Sequence, residues 1–571
     1  MRITDTGRLL RRYRAANRKA RGSGQPLDEV FGRSEEARAR ELADSLQRSA
    51  ELQPLRERAA ELRADGANPY VTRRELLQQG ALVSAGLAGL TLFGFGRRAF
   101  AAPGGVPGKP PASAPRIVVV GAGLAGLAAA YRIHEAMGLS ATLYEGQDRV
   151  GGRVRTIRSL DHGQYTEAGP SGIGSSQMHA IKRLADDVGL TPLDDLWLDY
   201  PPGGSVLVAG GQRYRFGELA EGFGANQEFL WKQWLQIRKL PTYLDYNEAA
   251  AHWDSVTIAE LYDEHLPFGS DTPAGAVMLR IFEVEYAGRA GATSALMQIA
   301  NEGTFWRSEN IYDERLGVPG GNHTLAQAVA DALPDGSLQL DHELLAIKRN
   351  ADLSYTLTFS ESGRSPTDVV ADQVVLAIPP STLRDVDYSQ AGFSAIKDVA
   401  IQNQDLGPNS KLNIQFEGHP WADLGFSGGI INGDPSNVGW TWQDSHLGTI
   451  ATTLIMMNNN DYGDAPPHGL APSDVVSQTL AELDFAWGPT GVSTSAIPGQ
   501  AYLDYWHNDP WVKGSYSYYP PGGFTWFAGA EHVREGNVHF AGEHTARYTQ
   551  RGYMNGAVES GERAAREIML D

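Results

Sequence analysis

Residues 116–153 constrain the fold more than any other part of the chain, and they read RIVVVGAGLAGLAAAYRIHEAMGLSATLYEGQDRVGGRV. A run of four β-branched residues, 117–120, predicts a buried strand. The Ala-rich run that ends at Met137 predicts a helix, and Ala141–Tyr144 predicts a second strand. Strand, glycine turn, helix and strand in this order are typical of a Rossmann-type unit.

The turn between the first strand and the helix contains the pattern G-x-G-x-x-G, formed by Gly121, Gly123 and Gly126. The first glycine permits a tight turn, the second lets the backbone approach a pyrophosphate, and the third lets the helix pack closely on the strand. The helix N-terminus adds unpaired N–H groups that favour phosphate. Glu145 ends the second strand and is expected to bind a ribose hydroxyl, which disfavours NADP. The stretch therefore predicts a dinucleotide site.

The residues that follow Glu145 bear on which dinucleotide binds. A second glycine pair, Gly151 and Gly152, is followed by Arg153. This tail resembles the flavin-dependent amine oxidase superfamily, in which the glycine pair passes the pyrophosphate and the arginine pairs with it. A bidentate guanidinium suits that task better than an ammonium group. The resemblance implies that the dinucleotide is FAD.

The C-terminal region extends this resemblance. A short apolar strand, 537–541, runs into Gly542 and Glu543, and the segment GYMNGAVESGERAA follows at 552–565. These motifs are similar to those of the monoamine oxidase family, and the similarity covers residues 116–571. It implies that Glu543 bonds the ribityl or pyrophosphate part of FAD. It also implies that the helix opened by Met554 directs its N-terminal N–H groups at the flavin, where they stabilise negative charge on the reduced ring.

Two tyrosines match the aromatic residues that enclose the substrate in this family. Tyr516 lies in the segment WHNDPWVKGSYSYYPPG, and Tyr553 directly precedes Met554. The resemblance implies that their rings clamp an amine in front of the flavin. Some relatives have a cysteine bonded to the flavin at the position of Ser515. Because the chain contains no cysteine, that thioether cannot form, and FAD is expected to bind without a covalent bond.

Two further positions match residues that act near the cofactor in the family. Lys411 matches a lysine that is bridged through water to the flavin and assists the reaction with O2. A buried cation there would stabilise negative charge on oxygen, and its lone pair could serve if burial lowers its pKa. Leu344 matches the position whose backbone holds the adenine.

A missing arginine limits the substrate class. After Glu167, L-amino-acid oxidases of this superfamily place an arginine that binds the substrate carboxylate, whereas this chain continues Ala-Gly-Pro170-Ser-Gly172. Without that guanidinium an α-carboxylate loses its bidentate partner. We therefore expect an amine that lacks an α-carboxylate. Its oxidation gives an aldehyde or ketone, and O2 is reduced to H2O2.

Three alternatives remain open from the sequence. Another arginine could bind a carboxylate, which would make the protein an L-amino-acid oxidase of the same fold. The enzyme could instead be a dehydrogenase or desaturase that passes electrons to a quinone. The third alternative is a flavin-binding interaction protein without turnover, which the matches at Lys411, Tyr516 and Tyr553 disfavour.

The length of 571 residues exceeds what one hydrophobic core usually supports, so two interleaved domains are expected. The motifs assign residues 116–190, 312–390 and 520–571 to a Rossmann-type FAD-binding domain. Residues 191–311 and 391–519 are assigned to a substrate-binding domain of mixed sheet and helices. The expected fold class is α/β, with α+β character in the second domain.

The residues before this body predict export. Residues 1–70 form a charged extension, and residues 71–101 combine Arg73-Arg74 with an uncharged run and a small-x-small pattern at Ala99–Ala101. This combination resembles a twin-arginine signal. Residues 102–115 are a Pro/Gly linker. The protein is expected to be periplasmic or extracellular, or membrane-anchored if the signal is not cleaved.

The net charge of −19 bears on the partners. Residues 1–101 are net basic, so the rest of the chain is strongly acidic, which argues against nucleic acid. No metal site is predicted. The expected partners are a small-molecule amine, O2, the export machinery and further copies of the chain in a homo-oligomer.

Overall fold

The computed structural model of the chain describes residues 114–196, 203–306, 314–361, 365–444, 451–488 and 491–570. The extension 1–70, the twin-arginine-like signal 71–101 and most of the linker lie outside these residues. Export and membrane anchoring therefore stay predictions. Within the described ranges, no helix is both long enough and apolar enough to cross a bilayer.

A five-stranded parallel sheet has the dinucleotide motif at its centre. The strand Ile117–Val120 pairs with Ala141–Tyr144 on one side and with Gln373–Leu376 on the other. The outer strands are Val538–Phe540 and Leu338–Gln339. The β-branched run is buried throughout because both faces of the sheet are covered, as parallel sheets require: Ile117 and Val119 pack against helices, and Val118 and Val120 pack against residues of strands His342–Arg349 and Tyr355–Glu361. This sheet draws its strands from the three segments that the motifs assign to cofactor binding.

Two helices, Leu124–Met137 and Met554–Leu570, pack against each other beside this sheet. Their approach is close because Gly561 has no side chain: a Cβ there would lie 2.1 Å from the carbonyl oxygen of Ala125. The first helix begins and ends as the sequence predicts, and the last helix begins at Met554 as the resemblance implies. Both helix N-termini therefore lie near the same end of the central strand.

The second large sheet has eight strands and takes them from residues 204–214 and 410–504. In spatial order they are His468–Leu470, Ala496–Asp504, Ser410–Glu417, Ala451–Asn458, Trp440–Asp444, Phe426–Asn432, Gly204–Ala209 and Gln212–Tyr214. One pair, Phe426–Asn432 with Gly204–Ala209, is parallel and the rest are antiparallel. The sheet is therefore mixed, as expected for the substrate-binding segments.

The remaining strands form smaller sheets. A four-stranded sheet consists of Thr367–Ala371, Tyr355–Glu361, His342–Arg349 and Asp387–Gln390, and the two-stranded pairs are Asp405–Leu406 with Ser517–Tyr518, Thr156–Ile157 with Thr166–Glu167, and Asp194–Asp195 with Leu316–Gly317. The other helices are His179–Asp187, Phe216–Ile237, Glu248–Ser255, Ile258–Glu260, Pro273–Tyr286, Ala295–Asn301, His323–Asp331, Pro380–Leu383, Ala395–Asn403, Ser473–Trp487 and Gly523–Trp526.

The apolar residues of Leu338–Ile347 predict one strand, but the structure splits this segment. Asp341 adopts a left-handed conformation (φ 60°) and turns the chain from the five-stranded sheet into the four-stranded one. The helix His323–Asp331 has Asn322 as its N-terminal cap residue, as its sequence predicts, but the Asn322 side chain accepts no hydrogen bond from the helix. That amide instead accepts the N–H of Val318 and donates to the carbonyls of two residues of the Pro170 segment.

The described residues form one compact unit. The segments assigned to cofactor binding build the five-stranded sheet, and the segments assigned to substrate binding build the eight-stranded sheet. The boundaries at 190, 311, 390 and 519 stay predictions.

Candidate active site

One long cavity collects nearly all the predicted site residues. Twelve of them line it, from Gly121 near the start of the described residues to Met554 in the last helix: Gly121, Gly123, Glu145, Gly152, Arg153, Leu344, Lys411, Tyr516, Gly542, Glu543, Tyr553 and Met554. Gly126 does not line the cavity but lies directly behind Gly121. The motifs near the two ends of the described residues therefore face one space.

The three glycines of the first turn have distinct surroundings. Gly121 has a φ of 98°, which favours glycine, and a Cβ at Gly126 would lie 1.9 Å from the Gly121 carbonyl oxygen. Gly123 has an ordinary φ of −70°, and a Cβ added there would have no atom within 4 Å. The local backbone therefore requires glycine at positions 121 and 126, whereas Gly123 leaves open space in the cavity wall.

Glu145 lies at the end of the second strand and is buried. Its two oxygens accept the backbone N–H groups of Ala122 and Gln147 at 2.7 and 2.9 Å. Burial raises the pKa of Glu145, although these N–H groups oppose the rise. The carboxylate is thus held beside the glycine turn, where a ribose hydroxyl would approach.

These features fit the adenosine and pyrophosphate parts of a dinucleotide. The space at Gly123, the start of the helix at Leu124 and the positive φ of Gly152 (56°) form a backbone cradle that side chains would fill. Leu344 also lies in the cavity wall, in a strand with an irregular register between Leu344 and Ala346. The residues present therefore fit the flavin dinucleotide that the sequence predicts.

Arg153 and Glu543 form an ion pair in the middle of the cavity wall. Arg153 Nη1 donates to Glu543 Oε1 at 2.8 Å and to the carbonyl of Ser515 at 2.6 Å. Within the described residues, the other guanidinium nitrogens of Arg153 make no hydrogen bond, so they remain for a pyrophosphate. The pairing with the cofactor that the resemblance implies stays a prediction.

Glu543 also accepts the N–H and the Oγ of Ser517 and the N–H of Gly552. Burial alone would raise the pKa of Glu543, but the charge of Arg153 and these donors lower it to about 2. A carboxylate has about four lone-pair sites, and four protein donors occupy them. A direct bond from Glu543 to the cofactor would have to displace one of these donors. Its observed role is to hold together the segments that carry Tyr516 and Tyr553.

Lys411 lies on the strand Ser410–Glu417, the third of the eight-stranded sheet, and is 5% exposed. Its Nζ donates to the carbonyl of Gly169 and, at 2.5 Å, to Ser171 Oγ. Burial lowers the pKa of Lys411 to about 8, while the charges of Asp444 and Glu167 oppose the shift. Lys411 therefore places a cation in the cavity wall, and this cation can lose its proton near physiological pH.

Tyr516 and Tyr553 both line the cavity, and Gly552, which directly precedes Tyr553, packs against the Tyr516 ring. The hydroxyl of Tyr516 donates to the carbonyl of Val284 and accepts from Asn409 Nδ2 at 2.7 Å. The hydroxyl of Tyr553 donates to Glu285 Oε1 at 2.9 Å. Burial and the charge of Glu285 raise the pKa of Tyr516 well above its ordinary value, so its hydroxyl stays protonated. Both rings are thereby tied to the end of the helix Pro273–Tyr286.

The polar residues of the cavity wall that the sequence reasoning missed include Glu285, Glu314 and Asn409. A signal for Glu285 was present. It follows Ile281 and Phe282 at helical spacing and so places a carboxylate on the buried face of its helix. Glu314 and Asn409 lie in irregular segments, where no periodicity marks a residue that faces the cavity.

Comparison with known proteins supports the same cofactor and chemistry. The family model described as flavin-containing amine oxidoreductase matches residues 124–569. The flavin-containing amine oxidase B of Mus musculus is 26% identical over 477 residues, which are 79% of this chain and 86% of that protein. A protein described as probable flavin-containing monoamine oxidase A, from Dictyostelium discoideum, is 25% identical and covers 79% of this chain and 97% of its own length.

Solved structures share the fold. A putrescine oxidase bound to putrescine superposes with a TM-score of 0.66 at 23% identity, and it covers 80% of this chain and 99% of its own. The cyclohexylamine oxidase of Brevibacterium oxydans IH-35A has a TM-score of 0.67 at 21% identity with the same coverage. At these identities the likeness concerns the fold alone.

Proposed function

Because the chain belongs to the flavin-containing amine oxidoreductase family, we propose that it is an FAD-dependent oxidase of an amine without an α-carboxylate. The net reaction converts the amine, O2 and water to an aldehyde or ketone, ammonia or a smaller amine, and H2O2. The observation that carries the proposal is the shared cavity: Tyr516, Tyr553 and Lys411 line the same space as Gly121, Gly123 and Glu145.

The residues that would hold FAD are those of the cradle. The glycine turn and the helix start at Leu124 would bind the pyrophosphate together with Arg153, and Glu145 would bind the ribose. The N-terminus of the last helix, at Met554, would face the negative end of the isoalloxazine ring. When bound, the flavin supplies the acceptor for a hydride, that is, for two electrons and one proton. With no cysteine in the chain, we propose that it is bound without a thioether.

The two tyrosines would orient the amine. Their hydroxyl groups are anchored to Val284 and Glu285, so each ring is held at two points, by its backbone and by its hydroxyl. Anchored rings restrict the amine to few orientations and lower the entropy lost on reaching the reactive geometry. The chain thus supplies positioning, and no residue is required as an obligatory base for the α-carbon.

The segment after Glu167 favours an amine over an amino acid. Gly172 packs against Glu314, and a Cβ at Gly172 would lie 2.5 Å from the Glu314 carbonyl oxygen. No arginine side chain fits there, and Glu314 brings negative charge to the wall instead. Arg551, another arginine of the cavity wall, pairs with Glu531 through Nη2 at 2.8 Å, whereas its Nε and Nη1 make no hydrogen bond among the described residues. A substrate carboxylate beside Gly172 itself would therefore meet the charge of Glu314 and no guanidinium from this segment.

Lys411 would serve the reaction with O2. Its Nζ is held by Gly169 and Ser171, and in its charged form it stabilises the negative charge that develops on oxygen during reduction. Its pKa of about 8 leaves it mostly charged at neutral pH. This role favours O2 over a quinone as the electron acceptor.

The test uses the purified flavoprotein and matched substrate pairs that differ only in the α-carboxylate: pentylamine with L-norleucine, 1,5-diaminopentane with L-lysine, and phenethylamine with L-phenylalanine. We expect the amines to bleach the flavin absorbance under anaerobic conditions. In air, we expect one molecule of H2O2 to form for each molecule of carbonyl product. Bleaching by the amino acids alone would establish an amino-acid oxidase. Bleaching without H2O2 would establish a dehydrogenase, and bleaching by none of these compounds would contradict an amine-oxidising role.

A further inference from the structure

Three charged side chains form a row across the eight-stranded sheet, and Lys411 is the member of this row that lines the cavity. Lys411 lies directly opposite Asp504 on the neighbouring strand, and Asp504 lies directly opposite His468 on the strand after it. Residues that are directly opposite in antiparallel strands project from the same face of the sheet, with Cβ atoms about 4.5–5.5 Å apart. Lys411 is 5% exposed and Asp504 is 1% exposed, so the row places charged groups in the interior.

His468 bridges two buried carboxylates. Its Nδ1 lies 2.8 Å from Asp504 Oδ1, and its Nε2 lies 3.1 Å from Asp509 Oδ2. An ionised carboxylate can only accept a hydrogen bond, so both ring nitrogens carry a proton and His468 is an imidazolium. Burial and the charge of Arg155 lower the pKa of His468, but the hydrogen bonds to the two carboxylates outweigh them and raise it above its ordinary value.

Asp504 uses only one of its two oxygens. Oδ1 contacts His468, whereas Oδ2 is buried and has no hydrogen-bond partner among the residues that the structure describes. Both Asp504 and Lys411 are described, yet no ion pair joins them, and Lys411 Nζ donates to Gly169 and Ser171 instead. Buried polar atoms are seldom left unpaired, and an ammonium group would form a charge-assisted bond with this oxygen. Some contact therefore keeps Asp504 apart from Lys411.

The contact with His468 explains this separation. His468 and Lys411 lie on opposite sides of the strand that carries Asp504, so a carboxylate bonded to the imidazolium is drawn away from the ammonium group. Trp506 holds His468 in place: its ring packs edge-on against the imidazole at 4.6 Å, and its Nε1 donates to the carbonyl of Ala168 at 3.0 Å. The carbonyl of the next residue accepts from Lys411. The row is thus packed against the segment that orients Lys411.

Asp504 acts on the charge of Lys411 without contacting it. Burial lowers the pKa of Lys411 to about 8. Four carboxylates favour its charged form instead: Asp444, Glu167, Asp504 and Glu314. A carboxylate in direct contact would favour the cation far more strongly than one at a distance, and it would take one of the three N–H donors. The separation therefore lets Lys411 change its charge while its Nζ stays at the cavity wall.

We propose that His468 and Asp504 are positioning residues for Lys411: the imidazolium keeps the carboxylate out of a direct ion pair, so that the ammonium group stays at the cavity wall for the reaction with O2. The inference rests on the proposed amine oxidase function and adds the groups that regulate Lys411. Loss of Asp504 removes a negative charge, so Lys411 gives up its proton more readily. Loss of His468 releases Asp504 to pair with Lys411, which then keeps its proton.

The first experiment measures the rate constant for the reaction of the reduced enzyme with O2 as a function of pH. The midpoint of this profile is expected to fall by about one pH unit in Asp504→Asn and to rise by about one unit in His468→Leu. His468→Leu should also react about tenfold more slowly at neutral pH, because the ion pair draws the ammonium group from the cavity wall. The matched controls are Glu417→Gln on the strand of Lys411 and His507→Leu, since both side chains are exposed.

The second experiment measures the charge of His468 itself and needs no turnover. NMR spectra of protein labelled with 13C,15N-histidine are recorded across pH, and His468→Leu identifies the His468 signals by difference. The wild-type ring is expected to remain an imidazolium above pH 6.5, the ordinary pKa of histidine. Asp504→Asn is expected to lower the pKa of His468, because it removes one of the two carboxylates.

Three results would overturn the inference. They are a shift of the same sign in both variants, a profile that neither variant moves, and a His468 ring that is neutral at pH 6.5 in the wild type. Asp504→Asn keeps the size of the side chain, so it tests the sign of the shift even if His468→Leu does not fold. If no amine reduces the flavin, the proposed function itself fails, while the charge of His468 is still measured, so the two failures are distinguishable.

Discussion

Arg153 Nη1 and Glu543 Oε1 lie 2.8 Å apart, although 390 residues separate them in the chain. Arg153 ends the dinucleotide motif near the start of the described residues, and Glu543 follows the last strand of the five-stranded sheet. Because Glu543 also holds Ser517 and Gly552, the pair joins the cofactor-binding turn to both segments that present the aromatic residues. The geometry of the substrate site thus depends on this contact.

The Arg153–Glu543 pair predicts an acid-sensitive contribution to stability. The folded pKa of Glu543, about 2, is below its ordinary value of 4.5, so the stabilisation is fully present above pH 4.5 and is lost as the pH falls toward 2. Glu543→Gln should lower the free energy of unfolding by about 3 kcal/mol at about pH 7 and by less in acid, below the ordinary pKa of a glutamate. Urea unfolding of the flavoprotein across this range measures both values.

The control for this pair is Arg547→Gln. Arg547 pairs with Glu559 at 2.9 Å but is 63% exposed, so the variant should cost less than about 1 kcal/mol. Equal losses in the two variants, or a loss in Glu543→Gln that does not shrink in acid, would show that the buried pair does not stabilise the fold in this way.

Two substitutions in the glycine turn are predicted to affect cofactor binding and folding separately. Gly123→Ala has an allowed φ and free space for its Cβ, so the stability of the apoprotein should change by less than about 0.5 kcal/mol. The new methyl group projects into the cradle and should weaken FAD binding at least about tenfold. Gly126→Ala would place its Cβ 1.9 Å from the Gly121 carbonyl and should destabilise the apoprotein by about 1–3 kcal/mol. Flavin titration and thermal unfolding distinguish the two, and normal flavin affinity in Gly123→Ala would contradict the assignment of the cradle.

Lys411 predicts the pH dependence of reoxidation. Its Nζ loses its charge above a pKa of about 8, so the rate constant for the reaction of the reduced enzyme with O2 should fall as the pH rises through 8. Lys411→Met should react about 10²-fold more slowly and without this pH dependence. Stopped-flow mixing of reduced enzyme with O2 measures the rate. Lys397→Met is the comparison, since Lys397 is buried but bonds Ala530 and Glu531 outside the cavity wall. A rate that rises over the same pH range would mean that the neutral amine assists instead.

The close packing at Gly172 predicts that a single substitution there cannot introduce amino-acid oxidation. In Gly172→Ala the Cβ would meet Glu314 at 2.5–2.6 Å, so thermal stability and kcat/KM for pentylamine should both decrease, the stability by about 1–3 kcal/mol. Gly172→Arg should not gain activity on L-norleucine. Gly224→Ala, which lies in a helix with no atom near its Cβ, should leave the activity unchanged. Efficient oxidation of L-norleucine by Gly172→Arg would disprove the steric argument.

The elements around the dinucleotide motif could be predicted from local sequence. The strands Ile117–Val120 and Ala141–Tyr144 and the helix end at Met137 follow from hydrophobic spacing and from glycines whose conformation is required by the turn, whereas the helix start at Met554 follows from the family resemblance. The family resemblance added Lys411, Tyr516 and Tyr553, because short motifs around them match at their own positions. These features depend on neighbours within a few residues, which any single sequence displays.

The tertiary structure alone decided which distant residues meet. The sequence does not show that Arg153 pairs with Glu543, that Glu314 packs against Gly172, or that Asp341 turns the chain from one sheet to another. Charge and polarity are visible in the sequence, but whether a carboxylate faces solvent, a guanidinium or a cavity depends on packing between segments hundreds of residues apart. The cofactor site was therefore determined largely by local motifs, whereas the charge of the substrate site was decided by long-range packing.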